Sequence, residues 1–379
     1  MVADLKSIAI YWSILIITIL LAWLYEHTKG RKKKWSVAIW MIVIVLPLSI
    51  LAGMRYSTVG IDYVNYVNIF FRIEKSSMTE CFSQAIIEPF FFLIVKLCLF
   101  INKSNQFVFF VISFLTNFFA IKAFEKVRNK ISFPFAILFY YLLLYHHSYN
   151  ITRQMLAVSL ILYAYTYYME GKYKKFIILC FLVSMCHTSA IICIVYLLVP
   201  FMFHFIWNHT RSEAYGEYKQ MYQFKRIIFY FSIMVSPFVV FSLINILQFI
   251  PGLNRYVGYI GGDINVQVSD MIRIIIIILP LFLVKDRSVS TRKEFFLMRD
   301  CLLFIIPINF IGSMAFWAGR LIYYPQSILI FLVSMIIKNC SNNRLDYWIK
   351  LYYIMYFILD YVSKFLYNNN GQTFPYLTW

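Results

Sequence analysis

Arg55 and Asp62, with Gly60 between them, follow directly on a long apolar run, in the order Met54-Arg55-Tyr56-Ser57-Thr58-Val59-Gly60-Ile61-Asp62. A guanidinium there can meet an anionic ligand, and a carboxylate on a glycine-permitted bend can accept a proton. The same residues also suit an arginine reaching for a membrane interface and an aspartate capping a surface helix; by themselves they leave the two readings level. Arg153-Gln154 opens a second apolar run, Met155 to Met169, after His146-His147-Ser148-Tyr149-Asn150. A guanidinium beside the unpaired amides of a helix N-terminus makes a phosphate cradle, with an interfacial anchor as the alternative. At least one of His146 and His147 is expected to be a wetted loop residue. His187 stands with Thr188 and Ser189 inside an apolar run, where an imidazole must find a partner. It suits a proton relay, a contact to a sugar hydroxyl, or a satisfied core histidine. Arg320 lies between two apolar runs and is followed by Tyr323 and Tyr324; Arg255, in a Gly/Pro-rich loop, is a softer candidate and Arg273 softer still.

What must position these groups follows from composition. The 379 residues are 61% hydrophobic, well beyond a soluble domain, which makes the chain an integral membrane protein. Its 35 bases stand against 17 acids, and most bases fall in short loops between apolar runs, so the net charge of +18 reflects topology rather than a nucleic-acid partner. The seven cysteines lie mostly inside apolar runs with no metal-ligand spacing and read as small core hydrophobes. No nucleotide loop, hydrolase elbow or metal-ligand motif appears, so no cofactor and no metal are expected.

The expected fold is all-α, a polytopic membrane helix bundle of about 12–13 transmembrane or re-entrant helices. Residues 1–379 read as a single integral membrane domain with outer loops near 54–85 and 248–270. Apolar runs place spans near 8–25, 35–53, 86–101, 107–124, 133–147, 155–169, 176–204, 227–247, 271–284, 301–317, 321–337 and 346–367. The run 176–204 is long enough to be two pieces broken at Cys186-His187-Thr188-Ser189. A short surface helix is expected to begin near Thr58 or Asp62. The basic loops at 29–34, 122–130, 171–175, 211–226, 285–299 and 338–344 should be cytoplasmic, which puts the N-terminus, the Arg55–Tyr66 motif, residues 148–154 and the C-terminus outside. Two full crossings at 86–101 and 107–124 would carry the 125–130 loop to the wrong side. One of the pair is therefore expected to be re-entrant or interfacial; the alternative is that the loops at 125–130 and 171–175 break the rule.

These residues also occur in an order that resembles a known family. Arg55, Gly60, Asp62 and Tyr66 after the second helix, Arg153, Gln154 and Ala157 opening a middle helix, His187 and Ser189, Arg320 with Tyr323 and Tyr324, and a terminal Pro375-Tyr376 together resemble the EpsG family of bacterial exopolysaccharide and O-antigen (Wzy-type) polymerases. The resemblance implies a multi-pass protein of the bacterial inner membrane. It would join undecaprenyl-diphosphate-linked oligosaccharide repeats on the periplasmic face into O-antigen, capsule or exopolysaccharide, alongside a partner that sets chain length. On that reading Arg153, Arg320, Arg55 and Arg255, with Gln154, Tyr66 and Tyr324, bind substrate and diphosphate. Asp62 is the first choice of base and His187 the second. A flippase of lipid-linked oligosaccharide and a membrane acyltransferase, with His187 as base, are the alternatives.

Overall fold

Long apolar stretches cannot leave backbone amides bare in a bilayer, so they coil into helices, and the computed structural model contains helices throughout the residues it describes. These are 4–28, 34–83, 87–201, 224–236, 239, 268–284, 292–314, 318–339 and 344–378. Among them, five helices are long and apolar enough to cross a membrane, and four shorter apolar helices accompany them. The protein is an all-α, multi-pass membrane protein. The contacts divide the chain into two compact units: residues 1–192, 288–291 and 330–379, and residues 193–287 with 292–329.

In the first unit, α1 (Leu5–His27) starts on Asp4, whose carboxylate accepts from the Ser7 amide at 3.3 Å. It packs on α2 (Lys34–Gly53) and on α7 (Phe133–Leu143). α2 lies along α6 (Asn105–Lys126), which in turn packs on α8 (Thr152–Met169); α8 packs on α9 (Tyr173–Ser184). Polar side chains join these helices where hydrophobic attraction does not favour one apolar neighbour over another. The Asn117 amide donates to Ser49 at 3.3 Å and Ser113 at 3.2 Å, and the Tyr140 hydroxyl donates to Asn117 at 2.9 Å.

The unit has two chemically distinct ends. At one, the Tyr25 hydroxyl donates to Glu125 at 2.9 Å, Lys126 pairs with Glu170 at 3.5 Å, and Lys338 reaches Glu26 at 4.0 Å and the Arg128 carbonyl. The basic stretches at 122–130 and 171–175 and Lys338 therefore gather together, as their assignment to one side expects. At the other end lie the Arg55 motif, the start of α8 and the C-terminal strap, residues 368–378. The strap is tied down by the Tyr11 hydroxyl donating to the Thr373 carbonyl at 2.9 Å and by the Tyr376 amide donating to Ser7 at 2.7 Å. The Tyr376 hydroxyl donates to the Leu51 carbonyl at 2.7 Å, filling one of the acceptors left open where α2 ends.

The surface helix expected near Asp62 is α3 (Tyr63–Lys75); the six-residue α4 (Met78–Ser83) follows. The span expected over 86–101 is shorter: α5 (Pro89–Ile101) has 13 residues, about 20 Å at the helical rise, too short for a bilayer core of about 30 Å. Glu88, just before it, contacts Arg153 at the start of α8. Lys103, just after it, pairs with Glu74 at the end of α3 and leads straight into α6. Both ends of α5 thus belong to the same end of the unit, the interfacial or re-entrant geometry that reconciles the basic loops with one side. The long run from 176 breaks where expected: α9 stops at Ser184, and a tighter turn of helix, Thr188–Leu197, begins after His187.

In the second unit, the helices Arg292–Leu302 and Ile305–Met314 precede the turn Ala318–Ile322, which carries Arg320 and runs into the helix Tyr323–Asn339. Arg299 and Asp300, both buried, pair at 3.0 Å, and Asp300 accepts from the Tyr230 hydroxyl at 3.2 Å. The Arg320 turn is set by a close backbone approach: a Cβ on Gly312 would lie 2.7 Å from the Gly319 Cα, whereas one on Gly319 would meet nothing nearer than 3.8 Å. Gly312→Ala is therefore expected to lower stability by about 1–3 kcal/mol and Gly319→Ala to be near neutral, measured as thermal midpoints in detergent. Equal effects would refute the close approach. All six cysteines among the described residues are buried free thiols.

Candidate active site

The local chain explains how the motif is folded. Gly60 has φ of +100°, a left-handed conformation that side chains resist, and a Cβ there would sit 3.0 Å from the Tyr149 carbonyl. Its amide donates to the Gln372 carbonyl of the strap at 2.9 Å, and the Tyr56 amide donates to the Leu377 carbonyl at 2.8 Å. Asn150 stitches the third side: its amide donates to the Gly371 carbonyl at 3.0 Å, and its carbonyl accepts from the Asp62 amide at 3.4 Å. The motif loop, the start of α8 and the chain's last residues are thus one construction.

Arg55 lies beneath it. The residue is 2% exposed, and its guanidinium carbon is 4.6 Å from the Phe109 ring centre, 4.8 Å from Tyr149 and 5.6 Å from Tyr63. Its Nε has no hydrogen-bond partner, and it makes no ion pair among the described residues. Aromatic faces stabilise a desolvated cation by about 2 kcal/mol or more each, so three of them stand where a carboxylate would otherwise be needed. In this conformation Arg55 supports the motif from behind. Asp62 is half-exposed just ahead of α3 and accepts from the Asn65 amide at 3.2 Å; its side chain does not cap the helix. Tyr66, buried on α3, accepts from the Arg153 amide at 3.2 Å, taking one of the donors left open at the start of α8.

Arg153 and His187 meet on a residue the sequence argument missed. The Glu88 carboxylate accepts from Arg153 Nη1 at 2.6 Å through one oxygen and from His187 Nδ1 at 2.9 Å through the other. The second oxygen also accepts from the Thr188 amide at 3.3 Å and hydroxyl at 3.4 Å. The three side chains are partly open, at 28% for Arg153, 25% for His187 and 15% for Glu88. Burial pushes the Glu88 carboxyl up, but the His187 hydrogen bond and the Arg153 charge outweigh it and hold it down at about 2. Glu88 lies outside the spanning helices, at the head of α5, and its carboxylate does not cap that helix.

The sign of the resulting pH dependence follows. A carboxyl held below its ordinary 4.5 contributes fully above that pH and loses its contribution as the pH falls toward 2. Up to about 3 kcal/mol is at stake. The acid-induced loss of thermal stability between pH 5 and 2 is thus expected to be shallower in Glu88→Gln than in the wild type; parallel curves would contradict the pairing.

Within the first unit the fold therefore brings together Arg55, Asp62, Tyr66, Arg153 and His187, with Glu88 added. Gln154, next to Arg153, is 3% exposed and faces the bundle interior. Arg320, exposed, and Tyr324, fully buried, belong to the second unit. Arg255 lies outside the described residues, as does most of the expected loop 248–270. Of the two tandem histidines, at least one of which is expected to be wetted, His147 is half-buried and His146 is fully buried, with Nδ1 3.1 Å from the Thr373 hydroxyl and Nε2 3.2 Å from the Tyr361 hydroxyl. The strap covers it.

A multi-pass helical membrane protein with a partly open arginine–carboxylate–histidine cluster at the end away from its basic loops is the class that fold and site define. The chain belongs to the EpsG family, a Wzy-type polymerase-like family, whose model matches residues 37–378, from early α2 to the strap. No curated protein and no solved structure matches it. It is a membrane polysaccharide-polymerase-like protein.

Proposed function

We propose that the protein polymerises oligosaccharide repeats carried on undecaprenyl diphosphate at the periplasmic face of the inner membrane. The growing glycan is the donor. Its anomeric carbon–oxygen bond to the diphosphate breaks, a hydroxyl of the incoming repeat forms the new glycosidic bond, the hydroxyl proton passes to a base, and the lipid diphosphate leaves. Arg153 neutralises the departing diphosphate, since an arginine stays charged and presents a fork that suits phosphate oxygens. Arg320, Arg255, Gln154 and Tyr324 remain proposed substrate contacts, with Arg55 and Tyr66 supporting the motif.

Asp62 and His187 are the two proposed bases. The observation that carries the proposal is the Arg153–Glu88–His187 cluster: a cation for the leaving group and an imidazole for the proton lie on one carboxylate, at 2.6 and 2.9 Å. A base and an electrostatic clamp so placed each supply orders of magnitude in rate.

The test is reconstitution of the purified chain with a synthetic polyprenyl-diphosphate oligosaccharide. The expected product is a ladder of lengthening glycans with release of polyprenyl diphosphate. Movement of the lipid-linked unit between leaflets without growth would make the chain a flippase, and acyl transfer without growth would make it an acyltransferase; either outcome ends the proposal.

A further inference from the structure

Glu88 departs from what its position predicts. A residue at a helix N-cap ordinarily turns its side chain back to the first open amides, and glutamate is a poor choice for that. Here the carboxylate instead collects contacts from the start of α8 and from the break after α9, while α5 takes no cap from it. Being ionised, it has only acceptors to offer, so the proton in its contact with His187 belongs to the imidazole, on Nδ1. In the neutral ring Nε2 is then bare and able to take a proton. The same carboxylate takes only Nη1 of Arg153, and Arg153 Nε is left buried without a hydrogen-bond partner.

We infer that Glu88 is a positioning residue that holds His187 in the tautomer with Nε2 free and anchors the Arg153 guanidinium beside it through Nη1. This deepens the proposed function and rests on it for the consequence to catalysis, though not for the geometry. Glu88 touches neither substrate nor reacting atoms in this role. It decides which imidazole nitrogen is the base.

The test uses the full-length protein in lipid nanodiscs with ¹⁵N-labelled histidine, the His187 signals being assigned by their loss in His187→Asn. At a pH where the ring is neutral, the expected wild-type spectrum has Nδ1 protonated and Nε2 bare. In Glu88→Ala the ring should revert to the Nε2-protonated form that free imidazole favours. Glycan growth should fall roughly 10²-fold or more in both Glu88→Ala and Glu88→Gln, with partial recovery in Glu88→Asp. A wild-type His187 protonated on Nε2, or a tautomer untouched in Glu88→Ala, overturns the inference whatever the activity. If Glu88→Ala does not fold, the wild-type spectrum decides alone, because Nε2 protonation is incompatible with the pairing. A tautomer that switches while glycan growth is unchanged would uphold the positioning and remove His187 as base, so the two failures are distinguishable.

Discussion

Arg153→Ala is expected to reduce glycan extension by about 10³-fold or more, leaving a single repeat on the lipid carrier. The guanidinium is the partly exposed cation of the cluster, carried on the first turn of α8 and paired with Glu88. The variant also strips Glu88 of its closest partner, leaving a partly buried carboxylate held by His187 and Thr188 alone at a cost of about 1–3 kcal/mol, so lost activity alone would be ambiguous. The double variant Arg153→Ala/Glu88→Gln separates the effects: it should recover most of the thermal stability and none of the polymerisation. Recovery of both would take Arg153 out of the chemistry. Arg153→Lys keeps the charge but loses the fork, and should fall between wild type and Arg153→Ala.

Deleting residues 371–379 is the second change with a large expected effect. The lost segment supplies carbonyl acceptors to Gly60, Tyr56, Tyr11 and Asn150, and it covers His146 with Thr373 and Phe374. Tyr376 adds the bonds to Leu51 and Ser7. Each buried partner left without its mate costs about 1–3 kcal/mol, and several are lost together, a sum comparable to the whole stability of an ordinary domain. The truncated chain should not be recoverable as a monodisperse species in mild detergent. The milder Tyr376→Phe removes only the Leu51 bond and should lower stability by about 1–2 kcal/mol. A truncated chain with the wild-type melting profile would show that the strap is dispensable.

The class of the fold was legible because it follows from apolar run length, which physics ties directly to helices in a bilayer. The break at His187 was legible for a related reason: Cys186-His187-Thr188-Ser189 is too polar for the middle of an uninterrupted span. The motif residues drew attention as titratable groups at costly depths, and four of them, Arg55, Asp62, Arg153 and His187, do gather in one unit. Glu88 escaped although it obeys the same rule. Taken as part of a span over 86–101, it was one acid among apolar neighbours. The available signal was the following Pro89, which favours the first position of a helix and so places Glu88 just outside it. The cage around Arg55 was not legible, because Phe109 and Tyr149 lie 54 and 94 residues further along the chain and aromatics are common throughout. Asn150, likewise, carries no mark in the sequence of the two distant segments it joins.

The strap has a consequence for the order in which the protein matures. Ribosome and insertion machinery deliver Arg55 and Asp62 early, but the carbonyls that hold Gly60 and Tyr56 emerge some three hundred residues later, after the helix Arg344–Tyr361. A nascent chain thus carries the motif loop long before the partners that hold it exist, and a chain ending before residue 371 leaves Gly60 and Tyr56 without them.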